Sequence, residues 1–589
     1  MNGAMIVAQM LRAYDVKYLF GVPGDTNVPL YGALAQLRDS IQHVLARDER
    51  SAGYMADAYA RVSNKPGIVE VPSGAGAMYV LPAVAEAHGS CVPMIVLTSD
   101  TPLSGEGRGV ITELDCARLF EPITKGSFLI KSAAKIPETL RRAFRLATTG
   151  RPGAVHLAIP EDILHEKVDL SSVSLHAEPA CRTFPAHPAR AASQEIAELL
   201  KIASGAHRPL VVVGGGVNRS RAGAELTAFV ERYRLPVVTT ITGQNAILDT
   251  HELSIGIAGD NGFHPHANRA LEEADLLIYF GCRNGSVVSI GWTFPAPRAG
   301  RKVIQVDIDP AVLGNNSNNA LSIHSDARLA LQDLIAHPRV HNWAIDPSWV
   351  DTLNAWRRSF WTKAAALPGE ASKHPLRPQI VIDALARHMR QPHLLFADPG
   401  TPTPYLGRFL RLTERESQLF IPRAFGGLGY AIPAVVGGWY ARPDLRPIGL
   451  FGDGSMGMCA GELETLARLR VPAILLNFNN ACFGWIKALQ RLHGPRDYMS
   501  VDFTAQDYGA IARDFGLHAL RVETEGELDA ALAQAFRHDG PVLLDIMVES
   551  IAEQLPPVYN WLRQAGVDPL TVDGRELGLP TASNREKIA

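Results

Sequence analysis

Two short runs carry the residue types of an all-oxygen cation site. The apolar run RPIGLF ends in Gly452-Asp453-Gly454-Ser455, and after the helical stretch AGELETLARLR the run PAILLNF ends in Asn479-Asn480. A strand–helix–strand unit of this kind is right-handed with parallel strands, so both C-terminal ends open on one edge, where open α/β sheets bind ligands. Asp453 and Asn480 then converge on one point, with the carbonyl of Cys482 well placed to join them. A carboxylate, an amide oxygen and a carbonyl suit Mg²⁺ or Ca²⁺ completed by ligand phosphate and water. Gly452 and Gly454 let phosphate approach the backbone, and the helix that follows Ser455 adds its dipole. Gly-Asp-Gly alone is common turn chemistry; the pairing with Asn-Asn in this context is what points to a site. Some 400 residues upstream, in QHVLARDER, Glu49 stands between a strand and the helix SAGYMADAYARVS. On its own it reads as an N-cap-region or surface carboxylate.

The elements that must position these residues come in three blocks, each alternating short β-branched runs with alanine-rich helical stretches. The fold class expected is α/β, with three consecutive doubly wound domains and mostly parallel sheets. The boundaries read as a first domain over 1–165, a linker over 166–190, a middle domain over 191–337, and a second linker over 338–375. A third domain spans 376–550, and a tail over 551–589 is a candidate lid or a loosely packed extension. Length (589 residues) fits three or four domains of about 100–200 residues. The formal net charge is -3, with no basic stripe, which argues against nucleic acid and anionic membrane as partners. The six cysteines form no CxxC pair, and no apolar run approaches the roughly 20 residues that span a bilayer. The first residues read as an amphipathic helix feeding a strand, without the marks of a signal peptide. A soluble cytoplasmic protein is expected.

The segment GDGSMGMCAGELETLARLRVPAILLNFNN resembles the thiamine-diphosphate signature of the family that includes pyruvate oxidases, acetohydroxyacid synthases and pyruvate decarboxylases. The resemblance implies that Asp453, Asn480 and the Cys482 carbonyl bind a Mg²⁺ that holds the cofactor diphosphate. GVPGDTNVPLYGAL, VLARDERSAGYMADAYARVSNKPG, PSGAGAMY and VPMIVLTSD resemble the pyrimidine-binding domain of the same family. Glu49 is then the carboxyl group that meets the aminopyrimidine N1′ and favours the tautomer that removes the thiazolium C2 proton. RAFGGLGYAIPA resembles the segment that bends the cofactor. This makes Leu428, otherwise an ordinary core leucine, the apolar wedge, and gives the Gly426 carbonyl to the amino group. FADPGTPTPY, around Asp398 and Gly400, aligns with a further diphosphate-side loop. In this family the two halves of a site come from different subunits, which implies a homodimer or homotetramer.

In the middle block, Gly214-Gly215-Gly216 ends a strand before a helix, where a phosphate would fit. TTITG (Thr240, Ile241), GIAGDNG (through Gly262), GCRNGS (Arg283), VDIDP (Asp307) and HSDA (Asp326) resemble the FAD-carrying acetohydroxyacid synthases and cyclohexane-1,2-dione hydrolase. FAD is therefore expected, structural or redox-active, with Arg283 on a phosphate and the carboxylates on ribose. The pocket departs from the best-known relatives: Ile111-Thr112 stands where they place Phe-Gln, and Leu489 follows Trp485 where the oxidases have glutamate and the synthases tryptophan. Asp25, Ile111, Thr112, Phe483, Trp485, Ile486 and Leu489 are the expected substrate-pocket residues. The leading expectation is decarboxylation of a pyruvate-like 2-oxo acid and transfer of the remaining unit to a second carbonyl. The alternatives are an FAD-linked oxidase, a diketone-cleaving hydrolase and a non-catalytic nucleotide-binding scaffold.

Overall fold

Runs such as PLVVV, HLLFA and ILLNFN are buried along their whole length, as strands covered on both faces must be. In the computed structural model, which describes residues 1–338, 343–365, 375–494 and 497–571, such runs build three six-stranded sheets. Every strand pairing in them is parallel. The first sheet holds β1 (Tyr18–Gly21), β2 (Gln42–Leu45), β3 (Gly67–Pro72), β4 (Met94–Asp100), β5 (Ser127–Leu129) and β6 (Ala154–Pro160), in the order β2-β1-β3-β4-β6-β5. The middle sheet holds β7 (Pro209–Val213), β8 (Val237–Thr239), β9 (Ser254–Ile257), β10 (Leu276–Phe280), β11 (Lys302–Asp307) and β12 (Leu321–His324). The third holds β13 (His393–Ala397), β14 (Gln418–Phe420), β15 (Arg446–Gly452), β16 (Ile474–Asn479), β17 (His518–Val522) and β18 (Val542–Met547). The expected fold class, three doubly wound α/β domains, is the one that forms.

Strand order separates the domains by kind. The third sheet, β14-β13-β15-β16-β18-β17, repeats the order of the first. The middle sheet runs β9-β8-β7-β10-β11-β12, the order of dinucleotide-binding sheets, and reverses direction between β7 and β10. Matching helices of the outer domains, Glu49–Ser63 and Ala431–Ala441, pack on each other, and a Cβ at Gly437 would strike the Met55 carbonyl. Residues 51–61 are buried on every side, as expected of a helix sandwiched between domains. One hydrophobic cluster accordingly runs through both outer domains, from Phe20 and Ala58 to Tyr430 and Phe451.

Two connecting segments are more ordered than their sequences suggest. The second linker contains an 18-residue helix, Ser348–Ala365. The described part of the tail is packed rather than loose. Ile551, Leu555, Val558, Trp561 and Leu562 are buried, and Asp260 of the middle domain accepts the amides of Tyr559 and Asn560. Residues 572–589, the rest of the expected lid, lie outside the described residues. No described helix is long and apolar enough to cross a membrane.

Candidate active site

Asp453 and Asn480, the expected cation ligands, meet at the C-terminal ends of β15 and β16. Asp453 opens the helix Asp453–Cys459; its Oδ1 accepts the Gly454 amide at 2.9 Å and its Oδ2 the Asn480 amide at 3.2 Å. The side chain is 2% exposed, and burial pushes its carboxyl up to about 6. Asn480 Nδ2 is buried without a partner, and its Oδ1 accepts only the Cys482 thiol, at 3.3 Å. Neighbouring residues at a strand end face opposite ways. Asn479 is therefore turned to Asp545 of β18, whose Oδ1 it and Asn477 share at 3.0 and 2.9 Å. That leaves Asn480 for the site. Gly454 has no room for a side chain, since a Cβ would stand 2.8 Å from the Phe483 ring.

The loop 423–430 borders this edge. Gly426 adopts φ +74 with open space where a Cβ would be, and Gly400 likewise faces open space. Leu428 is half-buried and belongs to none of the hydrophobic clusters, so it is not the core leucine that an isolated residue suggests. Asp398 follows β13 and faces the same loop. It is fully buried; its Oδ2 accepts the Gly429 amide at 2.8 Å, its Oδ1 that of Ala431 at 2.5 Å, and Ser455 also hydrogen-bonds it. The side chain holds the loop. A Cβ at Gly427 would strike the Tyr54 hydroxyl, which is itself buried and unpartnered. Gly427→Ala is expected to destabilise by about 1–3 kcal/mol through overpacking. Adding Tyr54→Phe should recover part of the melting midpoint; a double variant no better than the single one would disprove the clash.

On the N-terminal domain, Asp48 caps the helix Glu49–Ser63 by accepting the Ser51 amide at 3.1 Å. The capping role that Glu49 could have filled is thus taken. Glu49 is half-buried, and a Cβ at Gly76 would stand 3.0 Å from its Oε1. Burial raises its carboxyl above the ordinary range, helped by the charges of Asp48 and Glu70. Glu70, which sequence reasoning missed, is buried in β3 and takes hydrogen bonds from Asn27 (2.7 Å) and Tyr31, with His43 at 3.1 Å. No hydrogen bond or ion pair among the described residues joins Glu49 to Asp453, Asn480 or Leu428. Ile111 is 85% exposed, and Asp25 is exposed at the first turn of the short helix Asp25–Asn27. Thr112 holds φ +67, uncommon for a β-branched residue, with its hydroxyl 2.7 Å from that of Ser73. Strain of this kind concentrates at functional loops.

The helix Gly484–His493 splits the remaining pocket residues. Trp485 lies 4.3 Å from Trp561 of the tail, and both it and Leu489 pack against the core. Trp485 thus makes a helix–tail contact, and both residues are half-buried. Ile486 is exposed, and Phe483 meets Phe503 edge-on at 4.6 Å.

Beyond the C-terminal ends of β7 and β10 lies a cavity of about 470 Å³. Gly214, Gly215, Gly216, Thr240, Ile241, Arg283, Asp307 and Asp326 all line it. Gly262 does not: at φ +68 it packs against Gly407 of the third domain, where a Cβ would stand 2.8 Å from the Gly407 Cα. Gly214 and Gly216 are needed because their Cα atoms abut the backbone at Gly281 and Cys282. Asp326 Oδ1 caps the helix Ala327–Ala336, and Arg283 donates to the Gly89 carbonyl at 3.0 Å. Burial raises Asp307 to about 6. Seven arginines and three aspartates line the cavity, Arg151 and Arg219 among those the sequence did not suggest, so it is electropositive and suited to a phosphate-bearing ligand.

Family models match along the chain: the N-terminal thiamine pyrophosphate binding domain over residues 1–119, the central domain of those enzymes over 194–334, and their C-terminal thiamine pyrophosphate binding domain over 398–546. The chain is similar to a probable acetolactate synthase large subunit of Methanococcus aeolicus, 32% identical over 579 residues covering 95% of this chain and 94% of the relative. It is also similar to the acetolactate synthase large subunit of Lactococcus lactis subsp. lactis, 30% identical over 95% of this chain and 94% of the relative. That of Corynebacterium glutamicum is 30% identical over 95% and 88%. With three matched domains and relatives aligned along nearly their whole length, the chain belongs to the thiamine-diphosphate enzymes of the acetolactate synthase type.

Proposed function

We propose that the chain decarboxylates a pyruvate-like 2-oxo acid and joins the remaining unit to a second carbonyl, using thiamine diphosphate held by Mg²⁺. The observation that carries this reading is the convergence of Asp453 and Asn480: a buried carboxylate bonded to backbone amides and a buried amide with no partner, at the sheet edge where ligands bind. Those residues and the open backbone at Gly400, Gly426 and Gly452 fit a metal–diphosphate. Bound thiamine diphosphate supplies a carbon nucleophile that adds to the 2-oxo acid and stores the electron pair when CO₂ leaves.

The chain's own residues do the rest. Asp453, Asn480 and the Cys482 carbonyl ligate the metal, and Ser455 and the 452–454 backbone border the diphosphate. Leu428 would serve as the apolar support for the cofactor, and the Gly426 carbonyl would accept from its amino group. Glu49 gives and takes a proton at its carboxyl oxygen, and burial, with the charges of Asp48 and Glu70, favours its protonated form relative to an ordinary glutamate. Ile111, Thr112, Phe483 and Ile486 border the acceptor side. Glu49 and the metal residues are not joined within one chain. Exposed apolar residues flank both halves, with Val28, Met78 and Tyr79 on one and Phe425, Met458 and Met499 on the other. This supports a homodimer, or a homotetramer built from it, in which each site draws on two subunits. FAD is the proposed occupant of the middle cavity, from its strand order, switch-point position and arginine lining. Six free cysteines support a cytoplasmic location.

The matches lie with synthases and do not favour the oxidase or hydrolase readings. The test supplies enzyme, Mg²⁺, thiamine diphosphate and pyruvate, and follows CO₂ release and product mass. A product equal to two substrates less one CO₂ is expected. Anaerobic flavin bleaching without that product would overturn the carboligase reading.

A further inference from the structure

Glu86 lies within the helix Leu81–Gly89 of the N-terminal domain and is fully buried, yet its carboxylate serves the C-terminal domain. Oε1 accepts the backbone amides of Arg423 (3.0 Å) and Ala424 (3.3 Å), and Oε2 those of Phe425 (2.7 Å) and Gly426 (3.3 Å). Ser90 Oγ donates to Oε1, and Arg61 Nη2 reaches it at 3.5 Å. Burial alone would raise this carboxyl; Arg61, Ser90 and the amides outweigh it and hold the group ionised. Downstream, Asp398 grips the amides of Gly429 and Ala431. The stretch Gly426–Leu428, which meets the cofactor in the reading above, is therefore suspended between two buried carboxylates from different domains.

The upstream clamp also faces the middle cavity. Arg61, Ser90, Arg219 and Arg423 line it. Arg219 donates to the Ser90 carbonyl at 3.3 Å, and Arg423, whose amide sits on Glu86, has a buried Nε without a partner. An anion in the cavity would meet Arg61 and Ser90, which bond the Glu86 carboxylate, Arg423, whose backbone amide it holds, and Arg219, which is tied to it through the Ser90 carbonyl.

We propose that Glu86 is a positioning residue that fixes the Gly426 carbonyl and Leu428 for thiamine diphosphate, and that an anionic nucleotide in the middle cavity acts on cofactor binding through it. Glu86 does not touch the cofactor. The proposal rests on the thiamine-diphosphate reading, and the coupling is reciprocal by linkage.

Glu86→Gln keeps the shape, removes the charge and turns one acceptor into a donor facing amide donors. The test measures thiamine diphosphate affinity with Mg²⁺ by quenching of intrinsic tryptophan fluorescence, with and without FAD, and with ADP as a second probe. In the unaltered protein, saturating FAD is expected to tighten thiamine diphosphate binding by about fivefold or more. In Glu86→Gln, affinity falls by about tenfold or more, FAD affinity stays within about twofold, and the coupling disappears. Glu86→Asp restores part of the coupling, which a merely structural loss would not show. If Glu86→Gln does not fold, Ser90→Ala reads the same coupling and is expected to lower it. Equal affinity and coupling in the unaltered protein and the foldable variants would overturn the proposal. So would a protein that binds thiamine diphosphate while neither FAD nor ADP alters its affinity. A protein that binds no thiamine diphosphate at all would instead refute the reading on which the proposal rests.

Discussion

Replacing Glu49 by glutamine is expected to lower kcat by about 10²–10⁴-fold, the usual contribution of a positioned acid–base group. Thiamine diphosphate affinity should change only a few-fold and the melting midpoint very little. The asymmetry follows from the surroundings. Asp48 supplies the helix cap, so the fold does not need the Glu49 carboxyl. Glutamine is isosteric with glutamate, so the close approach of Gly76 to the Glu49 carboxyl accommodates the amide as well. Glutamine can still hydrogen-bond a ring nitrogen, which preserves binding, but it cannot hold and return a proton. Because burial and the charges of Asp48 and Glu70 raise the Glu49 pKa, the acid limb of the kcat/KM profile should lie above that of an ordinary glutamate. Glu70→Gln should shift that limb toward lower pH by removing one of the raising charges. Full turnover in Glu49→Gln would sink the proposed mechanism.

The parts legible in the sequence were those encoded by local pattern. Buried β-branched runs located the strands, and the coupling of Gly-Asp-Gly-Ser to Asn-Asn foretold that Asp453 and Asn480 meet, because a βαβ unit fixes which strand ends are adjacent. Residues whose roles depend on what packs against them were not legible. Asp398 and Asp326 carry the expected chemistry at the expected strand ends, but the backbone amides that bond their side chains, from Gly429 and Ala431 and from Arg328 and Leu329, are brought near only by the fold. Gly262 belongs to a motif-like run, yet its φ serves a contact with Gly407, some 145 residues away. Trp485 and Leu489 share a helix face by their i, i+4 spacing, but the partner that turns that face inward is Trp561. Glu70 and Glu86 did leave a signal, a single charge inside GIVEVP and inside LPAVAEAHG. A lone buried carboxylate is informative because burial demands partners.

The second large effect concerns Asp453. In the metal-free protein its folded pKa of about 6 lies above the unfolded value near 3.8. The folded state therefore holds the proton more tightly, and stability falls as pH rises from about 3.8 to about 6. The cost reaches on the order of 3 kcal/mol above that window. Mg²⁺ needs the ionised carboxylate, so apparent metal–cofactor affinity should fall about tenfold per pH unit below 6. The rise in melting midpoint on adding Mg²⁺ and thiamine diphosphate should be clearly larger at pH 7.5 than at pH 5. Asp453→Asn removes the buried charge and, with it, one acceptor for a backbone amide worth about 1 kcal/mol. Without ligands, the variant should melt above the unaltered protein at pH 7.5, and the advantage should vanish near pH 4. With Mg²⁺ and thiamine diphosphate the order should reverse, because only the carboxylate turns its own desolvation cost into metal affinity. A variant that keeps the ligand-induced rise, or a rise in the unaltered protein that is the same at both pH values, would show that Asp453 does not hold the metal.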